Sequence, residues 1–161
     1  MSGFNLDPKN TGFKIIEEGE YEVFPIKFAR ETAKSTGNRM AQFNYIIRDD
    51  VDQDFKGQEI RFDNFVETPN SMWRVNQAGI AAGLDTEKRY ADIYEWAEDF
   101  LYKAVRVYVG HREYNGRTYP EIREFMPSRY GGEYVPPKEE KDNNPFDTGQ
   151  PIDIEDDDLP F

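Results

Sequence analysis

Apolar residues recur at two spacings along this chain: alternately through the first 66 residues and again after residue 103, and at every third or fourth position between. The run from Glu20 to Arg30 reads as a strand, but its apolar parity changes around Pro25, from Tyr21 and Val23 to Phe24, Ile26 and Phe28. A bulge or kinked edge there is the predicted cause. Thr36-Gly37-Asn38 is turn chemistry. A second strand follows from Arg39 to Arg48, with Ala41, Phe43, Tyr45 and Ile47 toward the core and Gln42 and Asn44 on the mixed opposite face. Beyond an acidic loop at residues 49–54, a third strand runs from Gln58 to Val66. Simple alternation points its Ile60 and Phe62 inward and leaves Arg61, Asp63 and Phe65 outside.

The helical spacings come next. One helix is predicted to start at an N-cap Asn70 or Ser71 and to run through Met72, Val75, Gly79 and Ala82 to a terminating Gly83. A second opens with Asp92 and Glu95 at capping-box spacing and carries Ile93, Trp96, Ala97, Phe100 and Leu101 on one face. Both Trp73 and Trp96 are assigned to packing. Val105, Val107 and Val109 then alternate with Arg106 and Tyr108, and Asn115-Gly116 turns the chain into a partner strand from Arg117 to Phe125. Three strands, a helical insertion and a hairpin are the element order of the OB-fold, a five-stranded Greek-key barrel with its helix between strands three and four. A split α+β sandwich fits the same string.

Composition changes this picture in two ways. Aromatic residues reach 15%, with 12 Phe, 10 Tyr and 2 Trp, material that fills a small barrel and also stacks on bases. The chain has no cysteine and one histidine, His111, so thiolate and histidine-based metal sites and cysteine nucleophiles lack their residues. The run Asp50, Asp52, Asp54 fails as a calcium loop, because Phe55 stands where Gly is needed and Arg61 where a Glu belongs. No cofactor and no enzymatic activity are expected. Neither a basic segment leading into an apolar run nor a stretch of eighteen apolar residues occurs, and a cytoplasmic protein of a bacterial host cell is the expectation.

Net charge is −12, unevenly spread. From Lys138 onward nine acids face only Lys138 and Lys141, in a segment with too little apolar surface to offset the entropy of folding. The expected division is a folded domain at 1–130 and a disordered acidic tail at 131–161.

The tail ends Asp153-Ile154-Glu155-Asp156-Asp157-Asp158-Leu159-Pro160-Phe161. This closely resembles the C-terminal tip of bacterial single-stranded-DNA-binding proteins, with Leu159 where the commonest tip has Ile. The body resembles a family of phage-encoded single-stranded-DNA-binding proteins over roughly residues 4 to 128. The landmarks are Asn10-Thr11-Gly12-Phe13, Glu18-Gly19-Glu20-Tyr21, Ile47-Arg48-Asp49-Asp50, the Trp73 helix and Glu113-Tyr114-Asn115-Gly116. The resemblance implies binding and protection of single-stranded DNA, without sequence preference, during replication or recombination. It also implies that Asp156, Asp157, Asp158, Leu159, Pro160 and Phe161 dock onto replication, recombination or repair proteins. A terminal ring entering an apolar pocket, with its carboxylate on an arginine, is the physical form such docking takes.

Sequence-tolerant strand binding needs cations for phosphates and aromatic platforms for bases. The residues that fit are Lys27, Arg30, Lys34 and Arg39 around the first turn, Gln42 and Asn44 on strand two, and Arg61 and Phe65 on strand three. Arg106 and Tyr108 on strand four and Arg112, Tyr114, Arg117 and Tyr119 on the hairpin complete the set. Two other readings use the same features: an adaptor whose barrel binds protein, and a recombination mediator that anneals strands. Homo-oligomerisation is left open by the sequence.

Overall fold

The computed structural model describes residues 3–6 and 15–137. It is mainly β. Strands β1 (Gly19–Thr32), β2 (Arg39–Ile47) and β3 (Glu59–Val66) precede a 3-10 turn (Pro69–Ser71) and two helices, α1 (Met72–Ala81) and α2 (Ile93–Phe100); β4 (Val105–Tyr114) and β5 (Arg117–Pro127) follow. All five strands form one antiparallel sheet in the order β3-β2-β1-β4-β5, so β3 and β5 are its edges. The length of β1 makes this order possible, because residues 19–23 pair with β4 while residues 23–32 pair with β2. Its register shifts between Pro25 and Lys27, where proline has no N–H to give to a ladder, so the predicted irregularity is present. At the β4–β5 turn Asn115 and Gly116 both take positive φ, 52° and 77°, the conformation a two-residue hairpin loop requires.

Alternation in β2 builds the core as predicted: Ala41, Phe43, Tyr45 and Ile47 are fully buried, and Val105, Val107 and Val109 of β4 join them. Helix α2 lies over β2. Asp92 Oδ1 accepts from the Glu95 N–H at 2.9 Å, while the Glu95 carboxylate reaches back one residue further than a regular capping box, to the Ala91 N–H. The helix delivers Trp96 and Phe100, stacked at 4.9 Å and 12°. Both rings meet Phe43 edge-on, the arrangement aromatic quadrupoles favour.

Strand β3 departs from simple alternation. Phe43 pairs with Asp63 and Tyr45 with Ile60, so Arg61 and Phe62 together oppose the single residue Asn44. This is a β-bulge. Phe62 sits at φ +65°, a conformation rare for a bulky side chain, and its N–H donates to Asn44 Oδ1 at 3.1 Å. The extra residue reverses the parity of everything after it. Phe62, expected inside, is 62% exposed, and Phe65, expected on the outer face, is 1% exposed. Trp73 corrects the sequence reading too. It is 58% exposed, because it lies off the buried stripe of α1 formed by Val75, Ala78 and Gly79.

Helix α1 covers the gap between the sheet edges. Arg74 Nη2 donates to Asp63 Oδ1 of β3 at 2.6 Å and to the Ile122 carbonyl of β5 at 3.0 Å, and Nη1 donates to the Asn64 carbonyl at 3.2 Å. Gln77 Oε1 accepts from the Phe125 N–H on the same edge of β5. Unpaired strand edges invite foreign strands, and this helix satisfies part of both.

After β5 the chain is clamped back onto the sheet. The fully buried Glu22 carboxylate accepts from Arg106, from the Ser128 hydroxyl and from the Arg129 N–H. Arg48, buried beneath the segment with its guanidinium 4.3 Å over the Phe24 ring, donates to the Gly131 carbonyl. Tyr134 donates its N–H to the Tyr102 carbonyl at 2.9 Å and packs on Phe24. The docked chain therefore runs beyond residue 130. Among the described residues no helix is long and apolar enough to cross a membrane.

Candidate nucleic-acid interface

The β3 bulge pushes Phe62 out between two clefts. The first, of about 450 Å³, runs along the gap between β3 and β5 and is lined by Arg61, Phe62, Trp73, Arg112, Glu121 and Arg123, among others. The second, of about 550 Å³, lies on the outer side of β1, β2 and β3, where Lys27, Asn44, Arg61 and Phe62 meet Tyr134, Pro136 and Pro137 of the clamped segment. Arg61 and Phe62 belong to both, so the two clefts share a ridge. Its floor is polar. Tyr45 donates to Asp63 Oδ2 at 2.6 Å beside the Arg74 bridge. Burial pushes the Asp63 carboxyl up, against the opposing pull of Arg74 and the Tyr45 hydroxyl, and pushes the Tyr45 phenol well above its ordinary value.

Among the described residues, many surface cations are matched with carboxylates. Arg61 pairs with Glu59, and Glu121 takes Arg112 on one oxygen and Arg123 on the other, at 3.5 and 3.2 Å. These partners are all substantially exposed, and such pairs contribute little in water, about 0–1 kcal/mol. They are therefore cheap to exchange for another anion. Arg123 reaches its place by lying across Gly110, where a Cβ would come within 2.3 Å of its Nε, and it donates to the His111 carbonyl. His111 Nε2 is itself 2.7 Å from the Ile16 carbonyl, holding the start of the described body to β4.

The structure scatters the sequence-predicted residues over the sheet and its two hairpins. Lys27, Asn44, Arg61 and Arg112 line the clefts, and Gln42 lies beside them, bonded to Asn64. Tyr119 is half-exposed with Arg112 stacked 5.7 Å over its ring, and Tyr114 pairs with Arg117 at the exposed hairpin tip. Arg106 faces inward to Glu22 and also holds Glu20, whose carboxyl that hydrogen bond lowers, and Tyr108 is half-buried opposite Glu20. At the far end of the β1–β2 hairpin, Arg30 pairs with Glu98 over the Tyr94 ring, Arg39 grips Glu67 with two bonds, and Lys34 stands in the turn. That group is not brought to the clefts. Phe65 is excluded as a platform by its burial. Asp156, Asp157, Asp158, Leu159, Pro160 and Phe161 lie outside the described residues.

Sequence reasoning missed Phe62, Trp73, Glu121 and Arg123. One signal was present for Phe62: Ile60 and Phe65 stand an odd number of residues apart, so a strand burying both must contain a bulge, the same logic that placed the irregularity at Pro25.

Among known families, the model described as "Protein of unknown function (DUF669)" matches residues 4–137, a span that takes in all five strands, both helices and the clamped segment. No curated protein matches the chain.

Proposed function

The chain belongs to the DUF669 family, whose description assigns no activity, and we propose from its own surface that it is a sequence-independent single-stranded-DNA-binding protein. Its role in this reading is to protect unpaired DNA during replication or recombination, phage replication included. The observation that carries the reading is the exposure of two large rings, Phe62 and Trp73, on one cleft with Arg61, Arg112 and Arg123. Bases stack on such rings whatever their identity, at about 1–3 kcal/mol per base, while guanidiniums track the phosphates. The strain at Phe62 points the same way, since backbone outliers gather at functional sites. The finer fold reading, an OB-type barrel, is supported by the sheet order: bringing the β3 and β5 edges together turns β3-β2-β1-β4-β5 into a partly open ring with its helices after the third strand. In this reading DNA runs over strands two and three and along the seam.

The protein holds a built-in control for the test. Trp73 is exposed and Trp96 is 4% exposed, so poly-dT should quench Trp73 alone. Trp73→Phe should abolish most of the quenching and Trp96 should supply an unresponsive background. The quenching should weaken steeply as salt rises. If poly-dT at low salt leaves the emission unchanged and also fails to shift the protein on a gel, the reading is wrong and the barrel serves a protein partner instead. The residues after 137 are proposed to recruit replication or recombination proteins through the terminal acids and Leu159-Pro160-Phe161. They are also proposed to compete with DNA, so a chain ending at 137 should bind poly-dT several-fold more tightly at low salt and equally at high salt.

A further inference from the structure

We propose that Arg112 and Arg123 form a phosphate subsite of the DNA path and that Glu121 occupies it when DNA is absent. The inference rests on the single-strand-binding reading and names a specific anion site within it. Arg112 projects from β4 and Arg123 from β5, and the Glu121 carboxylate spans them, Oε1 to Arg112 Nε at 3.5 Å and Oε2 to Arg123 Nε at 3.2 Å. Two oxygens of one anion shared between two guanidiniums is the arrangement a phosphodiester would adopt with the same pair. The location fits, because all three side chains line the cleft that holds Phe62 and Trp73. A strand whose bases stack on those rings needs a phosphate contact beside them.

Three features favour exchange over a fixed ion pair. The side chains of Arg112, Arg123 and Glu121 are 50%, 49% and 36% exposed, so water can solvate the carboxylate as it leaves. Arg123 is held in place independently of Glu121: it lies on Gly110 and donates Nη2 to the His111 carbonyl at 2.6 Å. Arg112 is likewise held, by the Tyr119 ring beneath it. The cationic pair is thus positioned without its carboxylate, which can swing out while the guanidiniums remain.

The site makes opposite demands on its members. Removing the carboxylate should strengthen DNA binding, and removing either arginine should weaken it. With full-length protein and a fluorescent poly-dT oligonucleotide, Glu121→Gln should tighten binding about three- to tenfold at low salt and steepen the dependence of log K on log salt by about 0.7, the slope of one added phosphate contact on a single strand. Glu124→Gln changes the net charge equally on the same strand, where Glu124 is exposed opposite Tyr108. It should give less than about half that gain, which separates the subsite from general charge reduction. Introduced into Arg112→Ala, the Glu121→Gln change should lose most of its effect. Binding of wild-type protein with no difference between Glu121→Gln and Glu124→Gln overturns the subsite and leaves the DNA reading standing. Failure of wild-type and both variants to bind overturns the two together. A titration with inorganic phosphate at constant ionic strength distinguishes the source: phosphate binding by Glu121→Gln without a gain for poly-dT also overturns the assignment to a DNA strand.

Discussion

Strands β2 and β3 are hydrogen-bonded neighbours, yet they follow different rules. β2 is a regular two-period strand whose four inward residues are all fully buried. β3 carries one extra residue, and that residue turns a phenylalanine out and, three positions later, another in. The regular strand gives its inward face wholly to the core, whereas the irregular one supplies Ile60 and Phe65 to the core and also the exposed ring that the proposed function needs. Where a strand obeys its period, its side chains are accounted for by packing. Where it pays backbone strain to present an aromatic ring to water, packing gives no reason for it.

Truncating rings on the two strands is the strongest way to break this contrast. Phe43→Ala and Phe65→Ala should each destabilise by about 3–5 kcal/mol in urea unfolding, because both rings sit inside the Trp96–Phe100 cluster and leave a cavity. Phe62→Ala, on the same strand as Phe65, should stay within about 0.5 kcal/mol of wild type yet weaken poly-dT binding by roughly 1–3 kcal/mol. Equal destabilisation by Phe62→Ala and Phe65→Ala would mean that β3 has no bulge.

The bulge itself is tested more gently. Phe62→Gly removes the ring and suits the positive φ, so it should match or exceed wild-type stability by up to about 1 kcal/mol while losing DNA affinity. Asn44→Ala removes the acceptor of the Phe62 N–H and should cost about 1 kcal/mol, with a smaller loss of binding as the ring loses its fixed direction. A destabilised Phe62→Gly would show that the left-handed geometry is not a strained one.

The smallest effect is in pH. Tyr45 of β2 donates to Asp63 of β3, and its phenol is raised mainly by burial and further by that carboxylate. A folded-state value above the unfolded one, about 10, means the folded state holds this proton more tightly. The contribution is fully present below the unfolded value and is lost as pH rises from there toward the folded one. Urea midpoints above about pH 10 should therefore fall more steeply in wild type than in Tyr45→Phe, with ultraviolet absorbance showing one tyrosine ionising only as the protein unfolds.

Much of the fold was legible because its signals are local. The β2 and β4 alternations, the Asn115-Gly116 turn, the α2 cap and the break at Pro25 each occupy a few adjacent residues, and each is found where the pattern put it. The site was less legible. Phe62 and Phe65 exchange faces through one bulge, Trp73 lies beside rather than on its helix stripe, and the pairing of Arg112 and Arg123 through Glu121 depends on a register between β4 and β5 that residue types do not specify. Arg30 and Arg39, adjacent to Lys27 in a charge pattern, are carried to the opposite end of the hairpin and occupied by Glu98 and Glu67.

The anchorage of residues 128–134 by Glu22, Arg48 and Tyr102 also fixes a starting line. Pro136 and Pro137 line the same cleft as Lys27, Arg61 and Phe62, so the described chain ends at the rim of the ridge and not at a remote corner of the sheet. A dye attached at position 137, which lines the second cleft, should report an arriving strand if the proposed DNA path holds, whereas one placed at the β1–β2 turn should not. If the residues after 137 compete with DNA as proposed, cutting one of those anchors should weaken that competition.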